Sequence, residues 1–203
     1  AMFDEVIDKI LGTISEKEIF TETYPKFSGG GYRAHKIDIK NFHKIEKAVS
    51  GKKTAFIDGG NAEIIGSANF SLNIIRTCYA IYQNNRKIAA KRFDILAFIN
   101  AVNEEDEIYF KTTIFNLNSN IKFDEVSFNS LDHTLMHGIN RAEISNVANA
   151  VRRFAELRLA KYASDNNLSD FIVLDGNQQS TLTNESHYLN ELYESCEKNK
   201  VIL

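Results

Sequence analysis

Cysteine is scarce in this chain of 203 residues: only Cys78 and Cys196 are present, far apart and without a pairing pattern. That argues against a disulfide framework and against the clustered thiols of a zinc site, and both read as ordinary thiols of a reducing compartment. No apolar stretch approaches the roughly 20 residues that span a bilayer. The N-terminus Ala1-Met2-Phe3-Asp4-Glu5 shows no basic region followed by an apolar one, so no secretory signal is visible and a cytoplasmic protein is expected. An excess of one charge is also lacking, with 24 Lys and Arg against 27 Asp and Glu and a net charge of -3. No global basic field advertises nucleic acid, although a local basic rim suffices to hold a polyanion. Nucleotide-binding glycine patterns are missing too. Gly59-Gly60 resembles half of a phosphate loop, but no Walker lysine and no G-x-G-x-x-G follows it.

What is present is an ordinary globular balance, 43% apolar and 25% charged, enough for one domain or one domain with a small appendage. Phe3, Val6, Ile7, Ile10, Leu11 and Ile14 recur at helical spacing and predict an amphipathic helix. Pro25, the only proline, and Ser28-Gly29-Gly30-Gly31 mark a hinge, and 37–49 reads as a second helical piece with a lysine face. From Lys52 onward the pattern changes to strands. One is expected over Thr54–Asp58 and a long one from Ala62 to Tyr82. Another follows the Asn84-Asn85 turn over Phe93–Ile99, and another follows the acidic turn Glu104–Glu107 over Ile108–Phe115. Ile121–Leu135 reads as a loop-rich insertion. The strongest helix spans Arg141–Ser164, with Ile144, Val147, Ala148, Val151, Phe154, Ala155 and Leu159 as its apolar stripe.

After that helix come a strand over Phe171–Leu174 and a helix from Thr183 or Asn184 to Lys198, with Leu189, Leu192 and Tyr193 inward. Val201 opens a last strand, and the chain reads as cut there. The expected organisation is a helical N-terminal extension over 1–50 and an α/β domain over 51–203. Hairpin-like strands followed by alternating helices and strands predict a mixed sheet flanked by helices, in the order of the ribonuclease H architecture.

Two strings end alike: Thr54-Ala55-Phe56-Ile57-Asp58-Gly59-Gly60 and Phe171-Ile172-Val173-Leu174-Asp175-Gly176. Each is an apolar run bounded by a turn signal, which reads as a buried strand with an aspartate at its carboxyl end. Ligands of open sheets bind in the crevice outside those ends. Two aspartates on neighbouring strands would offer hard carboxylate oxygens to a divalent cation such as magnesium or manganese. Aspartate also does well as a plain cap of strand-to-loop turns, and that reading stays open.

A third carboxylate, Glu156, lies in Arg152-Arg153-Phe154-Ala155-Glu156, beside the apolar stripe of the strongest helix. The plain alternative is an i,i+4 ion pair with Arg152. Glu143 on the same helix competes for the role. Glu63 could reach the same crevice, or it could be a solvated strand-edge carboxylate. His133 and His137 stand at metal-gripping i,i+4 spacing, but no carboxylate motif accompanies them.

Phe56-Ile57-Asp58-Gly59-Gly60-Asn61, the long strand, the helix Arg152–Ala160 and Ile172-Val173-Leu174-Asp175-Gly176 together resemble the NurA nuclease domain over roughly residues 50 to 203. The resemblance implies a ribonuclease H-like fold and a manganese-dependent DNA nuclease, with magnesium as the second candidate ion. It implies 5'-3' exonuclease and single-strand endonuclease action in double-strand break end resection. It further implies a homodimer working with a hexameric HerA-type ATPase. On this likeness Asp58, Glu156 and Asp175 match the metal-binding carboxylates. Asp175-Gly176-Asn177-Gln178 departs from the family's usual Asp-Gly-Ser-Leu wording, and the family's C-terminal continuation is missing past Leu203. The second reading is a catalytically inactive nuclease-like domain that dimerises and docks a DNA-translocating ATPase. A third, an actin-like or sugar-kinase-like phosphotransferase, lacks a second phosphate loop and an adenosine site.

Overall fold

The long strands of this chain follow from its turn residues. In the computed structural model, which describes residues 50–118, 121–176 and 178–203 together with 7–9, 12, 40 and 42–44, four strands run on from one another as hairpins. They are β1 (Lys53–Gly66), β2 (Phe70–Gln83), β3 (Arg86–Glu104) and β4 (Glu107–Asn116). Asn84 and Asn85 both take positive φ, as do Glu105 and Asp106. Two left-handed residues in succession match the twist of the flanking strands and close a two-residue hairpin. The short β5 (Ser127–Asn129) adds to β4 inside the segment expected as a loop-rich insertion.

Helix α1 (Ile144–Asp165), strand β6 (Phe171–Leu174) and helix α2 (Glu185–Asn199) complete the element order. The sheet order is β5-β4-β3-β2-β1-β6, antiparallel throughout except for the parallel pair of β1 with β6. The architecture is therefore α/β with a mixed six-stranded sheet. The terminal Val201–Leu203 contributes one parallel bridge, Ile202 to Phe171, on the far side of β6. Residues 49–203 form one compact unit. No helix among the described residues is long and apolar enough to cross a membrane.

Alternation along β1 to β3 sorts the sheet into two faces. Ala55, Ile57, Ile75, Phe93, Ile95, Ala97 and Ile99 are buried against α1. Phe56 and Val173, cross-strand neighbours, lie on the other face and stay half-exposed. Helix α1 packs on β1, β2, β3 and β6 on one side and on α2 on the other. This double contact buries residues outside the expected stripe, Ala150, Glu156, Leu157, Ala160 and Ala163 among them. Phe154 stacks on Tyr188 with ring centroids 4.4 Å apart, which joins the two helices.

Further expectations differ from what is observed, first of all the single long strand over Ala62–Tyr82, which is the end of β1 and most of β2, parted by the turn at Ser67–Asn69. The first strand does not stop at Asp58 but runs to Gly66, because its hydrogen bonding to β2 continues past the aspartate. In α2, Tyr188 is buried and Tyr193 is exposed, since Tyr188 faces α1 while Tyr193 donates to the Gln178 carbonyl at the surface. Asn184 stands at the N-cap of α2 but makes no side-chain cap hydrogen bond. At the N-terminus Ile7–Lys9 and Gly12 are helical. The rest of the expected first helix, the hinge and most of 37–49 lie outside the described residues, and the described Phe42–Lys44 carry no helix.

Candidate functional site

The ladder between β1 and β6 runs from Thr54↔Phe171 to Ile57↔Leu174 and ends there. The next residue on each strand is an aspartate, Asp58 on β1 and Asp175 beyond β6. Gly176, at φ +85°, turns the chain away from the sheet, a conformation glycine adopts without strain. Both aspartates are exposed, and each uses Oδ1 to accept the amide N–H of the glycine that follows it, at 2.8 Å in both cases.

Glu156 arrives from α1. Its side chain lies over Gly59 so closely that a Cβ there would sit 2.9 Å from Oε1 and 3.1 Å from Cγ, with Thr77 Cγ2 also at 3.1 Å. A cavity of about 470 Å³ opens between the strand ends and the helices, and Asp58, Glu156, Asp175, Glu185, Arg152 and Arg153 all line it. The three carboxylates singled out from the sequence therefore share one cavity wall.

This close approach makes Gly59 a sensitive position. Gly59→Ala is expected to lower unfolding stability by about 1–2 kcal/mol, because overpacking must displace Glu156 or Thr77. Gly60, the neighbouring glycine, has nothing within 4 Å of such a Cβ. Gly60→Ala should therefore be neutral within about 0.5 kcal/mol. Paired urea titrations check the contrast, and equal midpoints for the two variants would contradict it.

The electrostatics separate Glu156 from Glu185. Glu156 is 6% exposed. Burial pushes its carboxyl above the ordinary value, and the Asp58 charge adds to this; Arg152 and Arg153 pull the other way without cancelling it. Arg152 Nη1 donates to Glu156 Oε1 at 2.5 Å and to the Gly59 carbonyl at 3.2 Å, and Arg153 Nη1 stands 3.8 Å from Oε2. Glu185 shows the opposite balance. Burial would raise it, but Arg153 Nε at 2.8 Å and the amides of Thr181 and Leu182 at 2.8 and 3.1 Å outweigh that, so its carboxyl is held below the ordinary value.

The remaining candidates lie elsewhere. Glu143 stands at the N-cap of α1, exposed, with Ser145 Oγ donating to it at 3.4 Å, and it does not line the cavity. Glu63 accepts Ser71 Oγ at 2.6 Å further along β1. His133 and His137 belong to no group of three metal-ligating side chains among the described residues. Of the basic residues, Arg158 pairs with Asp124 and Glu191 and covers the Tyr188 ring at 4.6 Å, and Lys52 lies over Phe171 at 5.1 Å. Among the described residues, Arg152 and Arg153 are the cations that line this cavity.

Sequence reasoning missed Glu185, Arg76 and Cys78. Asp58 also borders a second cavity, of about 430 Å³, lined by Gly60, Arg76 and Cys78. Cys78 is the cross-strand partner of Asp58, and Arg76 that of Gly60. Counting back from the turn at Ser67–Asn69 misses both by one residue, because the β1/β2 register shifts between Glu63 and Ile65. Cys78 is exposed, and partial desolvation with the adjacent Asp58 carboxylate pushes its thiol up, the opposite direction to thiolate activation. Glu185 carries no spacing signal, since its role depends on Arg153 from another helix.

The donor chemistry at this site, several hard carboxylate oxygens, suits a divalent cation of the magnesium or manganese type. The present geometry does not suit one. Among the described residues no three of His, Cys, Asp or Glu stand close enough together to hold an ion, and the Arg152 guanidinium takes up Glu156 Oε1. No family model, curated protein or solved structure matches this chain.

Proposed function

We propose that this chain is a metal-dependent DNA nuclease with a ribonuclease H-like domain of the NurA type. One observation carries the reading: Asp58, Asp175 and Glu156 converge on one cavity where the parallel pair of β1 and β6 ends. The strand order supports it, with an antiparallel β1-β2-β3 meander, a crossing helix and a return strand parallel to β1. A divalent ion bound by carboxylates would supply a water-derived nucleophile and stabilise the oxygens of a phosphodiester displacement.

The chain's own residues do the rest. Asp58 and Asp175 present exposed carboxylates just past the end of the β1/β6 ladder, and Arg152 offers a guanidinium donor at the cavity to a phosphate. Family likeness adds manganese as the ion, a homodimer as the assembly, and a HerA-type hexameric ATPase as the partner that feeds DNA.

A second reading rests on the ion pairs that hold Glu156. A nuclease-like domain whose third carboxylate is neutralised by Arg152 and Arg153 would serve as a dimerisation and docking module for the same ATPase. Digestion of end-labelled single- and double-stranded DNA across a manganese titration decides between the two. Manganese-dependent cleavage is the expected result. No cleavage, together with no heat of manganese binding in calorimetry, would leave the docking module.

A further inference from the structure

The face of the sheet turned away from α1 carries a charged cluster of its own. Directly opposed residues of antiparallel strands share a face. The register therefore sets Gly60, Arg76 and Asp94 in one row across β1, β2 and β3, and Asp58, Cys78 and Arg92 in the next. Thr77 and Phe93, opposed between these rows, point the other way: Thr77 lies beside Gly59 and Glu156, and Phe93 meets Tyr162 of α1. We propose that Arg76 and Arg92, beside Gly60, form a binding site for a phosphodiester of a nucleic-acid strand, separate from the carboxylate cavity and meeting it at Asp58. The proposal goes beyond the nuclease reading, because it needs neither a metal ion nor cleavage.

Asp94 organises the arginine pair. Its side chain is only 9% exposed, and three donors converge on it. Arg76 Nε donates to Oδ1 at 2.7 Å, Arg92 Nε to Oδ2 at 3.1 Å and Asn118 Nδ2 to Oδ2 at 3.2 Å. Burial would raise its carboxyl, but the Arg76 bond and the charges of both arginines outweigh that and hold it below the ordinary value.

One carboxylate neutralises only one of two guanidinium charges, so the triad keeps a net positive charge. Each guanidinium carries five N–H donors, and the bond to Asp94 uses Nε. The rest of each arginine reaches solvent, with 52% of the Arg76 side chain and 59% of the Arg92 side chain exposed. Outward guanidinium donors in a pair suit the oxygens of a phosphate. Anchoring Nε beforehand also lowers the ordering cost that a ligand must offset when it fixes a long side chain.

A second, independent observation points to a ligand at the same place. Gly60 lies inside β1, where glycine weakens a strand and often marks the close approach of a ligand or another backbone. Nothing in the fold requires glycine there: its φ is not left-handed, and a Cβ would meet no atom within 4 Å. Gly60 and Ala62 leave open the cavity of about 430 Å³ that Arg76 and Cys78 also line, and Asp58 borders both this cavity and the carboxylate one.

The test is free of metal. Fluorescence anisotropy of a labelled oligothymidylate, with the full chain in EDTA, is followed over a sodium chloride series. Arg76→Ala and Arg92→Ala are each expected to weaken binding about tenfold, the size of one charge-assisted hydrogen bond. Each should also make the salt slope shallower by about 0.7, as for one lost phosphate contact to a single strand. Gly60→Glu sets a carboxylate beside Arg76 without taking a partner from Asp94, and it is expected to weaken binding at least as much. It keeps the test decisive if an arginine variant fails to fold. Lys198→Ala removes the same charge from the last turn of α2 and should leave binding unchanged. Cys78 is exposed and Cys196 buried, so alkylation of Cys78 reports on the site directly. Bound oligonucleotide is expected to slow it severalfold in the wild type.

Unchanged affinity in Gly60→Glu and in both arginine variants would overturn the site. An equal loss in Lys198→Ala would also overturn it, by assigning the binding to overall charge. Protection of Cys78 by inorganic phosphate or a mononucleotide, but not by the oligonucleotide, would make this a small-anion site and overturn the proposal as well. Manganese-dependent cleavage alongside any of these results leaves the nuclease reading standing. The expected binding without any cleavage or manganese binding would remove the nuclease reading and leave this site.

Discussion

On the nuclease reading, Asp58→Asn and Asp175→Asn are each expected to reduce manganese-dependent DNA cleavage by about a thousandfold while leaving the unfolding free energy within about 0.5 kcal/mol of the wild type. The kinetic loss follows from position. Each aspartate is the first residue past the β1/β6 ladder and presents its carboxylate to the shared cavity. Taking away one charge would weaken the hold on the divalent ion that the nuclease reading requires, whose stabilisation of the developing charge would amount to several kcal/mol. The small effect on stability follows from exposure. Both side chains are solvated, and asparagine keeps a carbonyl oxygen for the 2.8 Å bond from the next glycine amide. Parallel measurements of cleavage rate, manganese affinity and urea midpoint check both halves. Full activity in either variant would remove that aspartate from the site, and a large fall in midpoint would make it a structural residue instead.

The part of this site that the sequence made legible is the part built from local rules. An apolar run that meets Asp-Gly is a short-range pattern, and it marked both aspartates. Choosing Glu156 over Glu143 was not possible from spacing alone. The helix expected over Arg141–Ser164 contains both residues, but only the packing of α1 against β1 sets which part of it overhangs the end of the β1/β6 ladder. In three dimensions Glu156 lies over Gly59, whose missing side chain leaves room for it, while Glu143 does not line the cavity.

The strand boundary at Asp58 was misread for a related reason. Gly59-Gly60 looks like a stop, yet β1 has a different neighbour on each side, and only its ladder to β6 ends there. Asp58 is consequently a mid-strand residue with one free edge. Its alternation with the buried Ile57 and with Gly59 faces it partly toward the open side of the sheet, where Arg76 and Cys78 line the second cavity. The i,i+4 pair of Arg152 with Glu156 was anticipated as an alternative to a metal ligand, and both descriptions now concern one carboxylate.

Glu185→Ala is expected to lower unfolding stability at neutral pH by about 3 kcal/mol, toward the lower end of the cost of breaking a buried ion pair. Glu185 is 1% exposed, and its carboxylate joins three parts of the fold. Oε1 accepts Arg153 Nε from α1, and Oε2 accepts the amides of Thr181 and Leu182 just ahead of α2. Removing it strands two amide donors and takes the closer partner from Arg153, which keeps only Glu156 at 3.8 Å among its carboxylate contacts described above. The size stays near the lower end because of that remaining contact.

The same group predicts a pH signature. Its carboxyl is held below the ordinary value in the folded state, so the folded protein gives up this proton more readily than the unfolded chain. The stability it contributes is present above the unfolded carboxyl range, near pH 4.5, and is lost as pH falls through the lower folded value. The difference in unfolding free energy between wild type and Glu185→Ala should thus shrink steadily on acidification below about pH 5. Glu185→Gln separates charge from hydrogen bonding. It can still accept the Thr181 and Leu182 amides, so it should recover part of the neutral-pH loss and show little of the acid dependence. A difference that stayed constant down to pH 3 would assign the stability to packing and not to the carboxylate's charge.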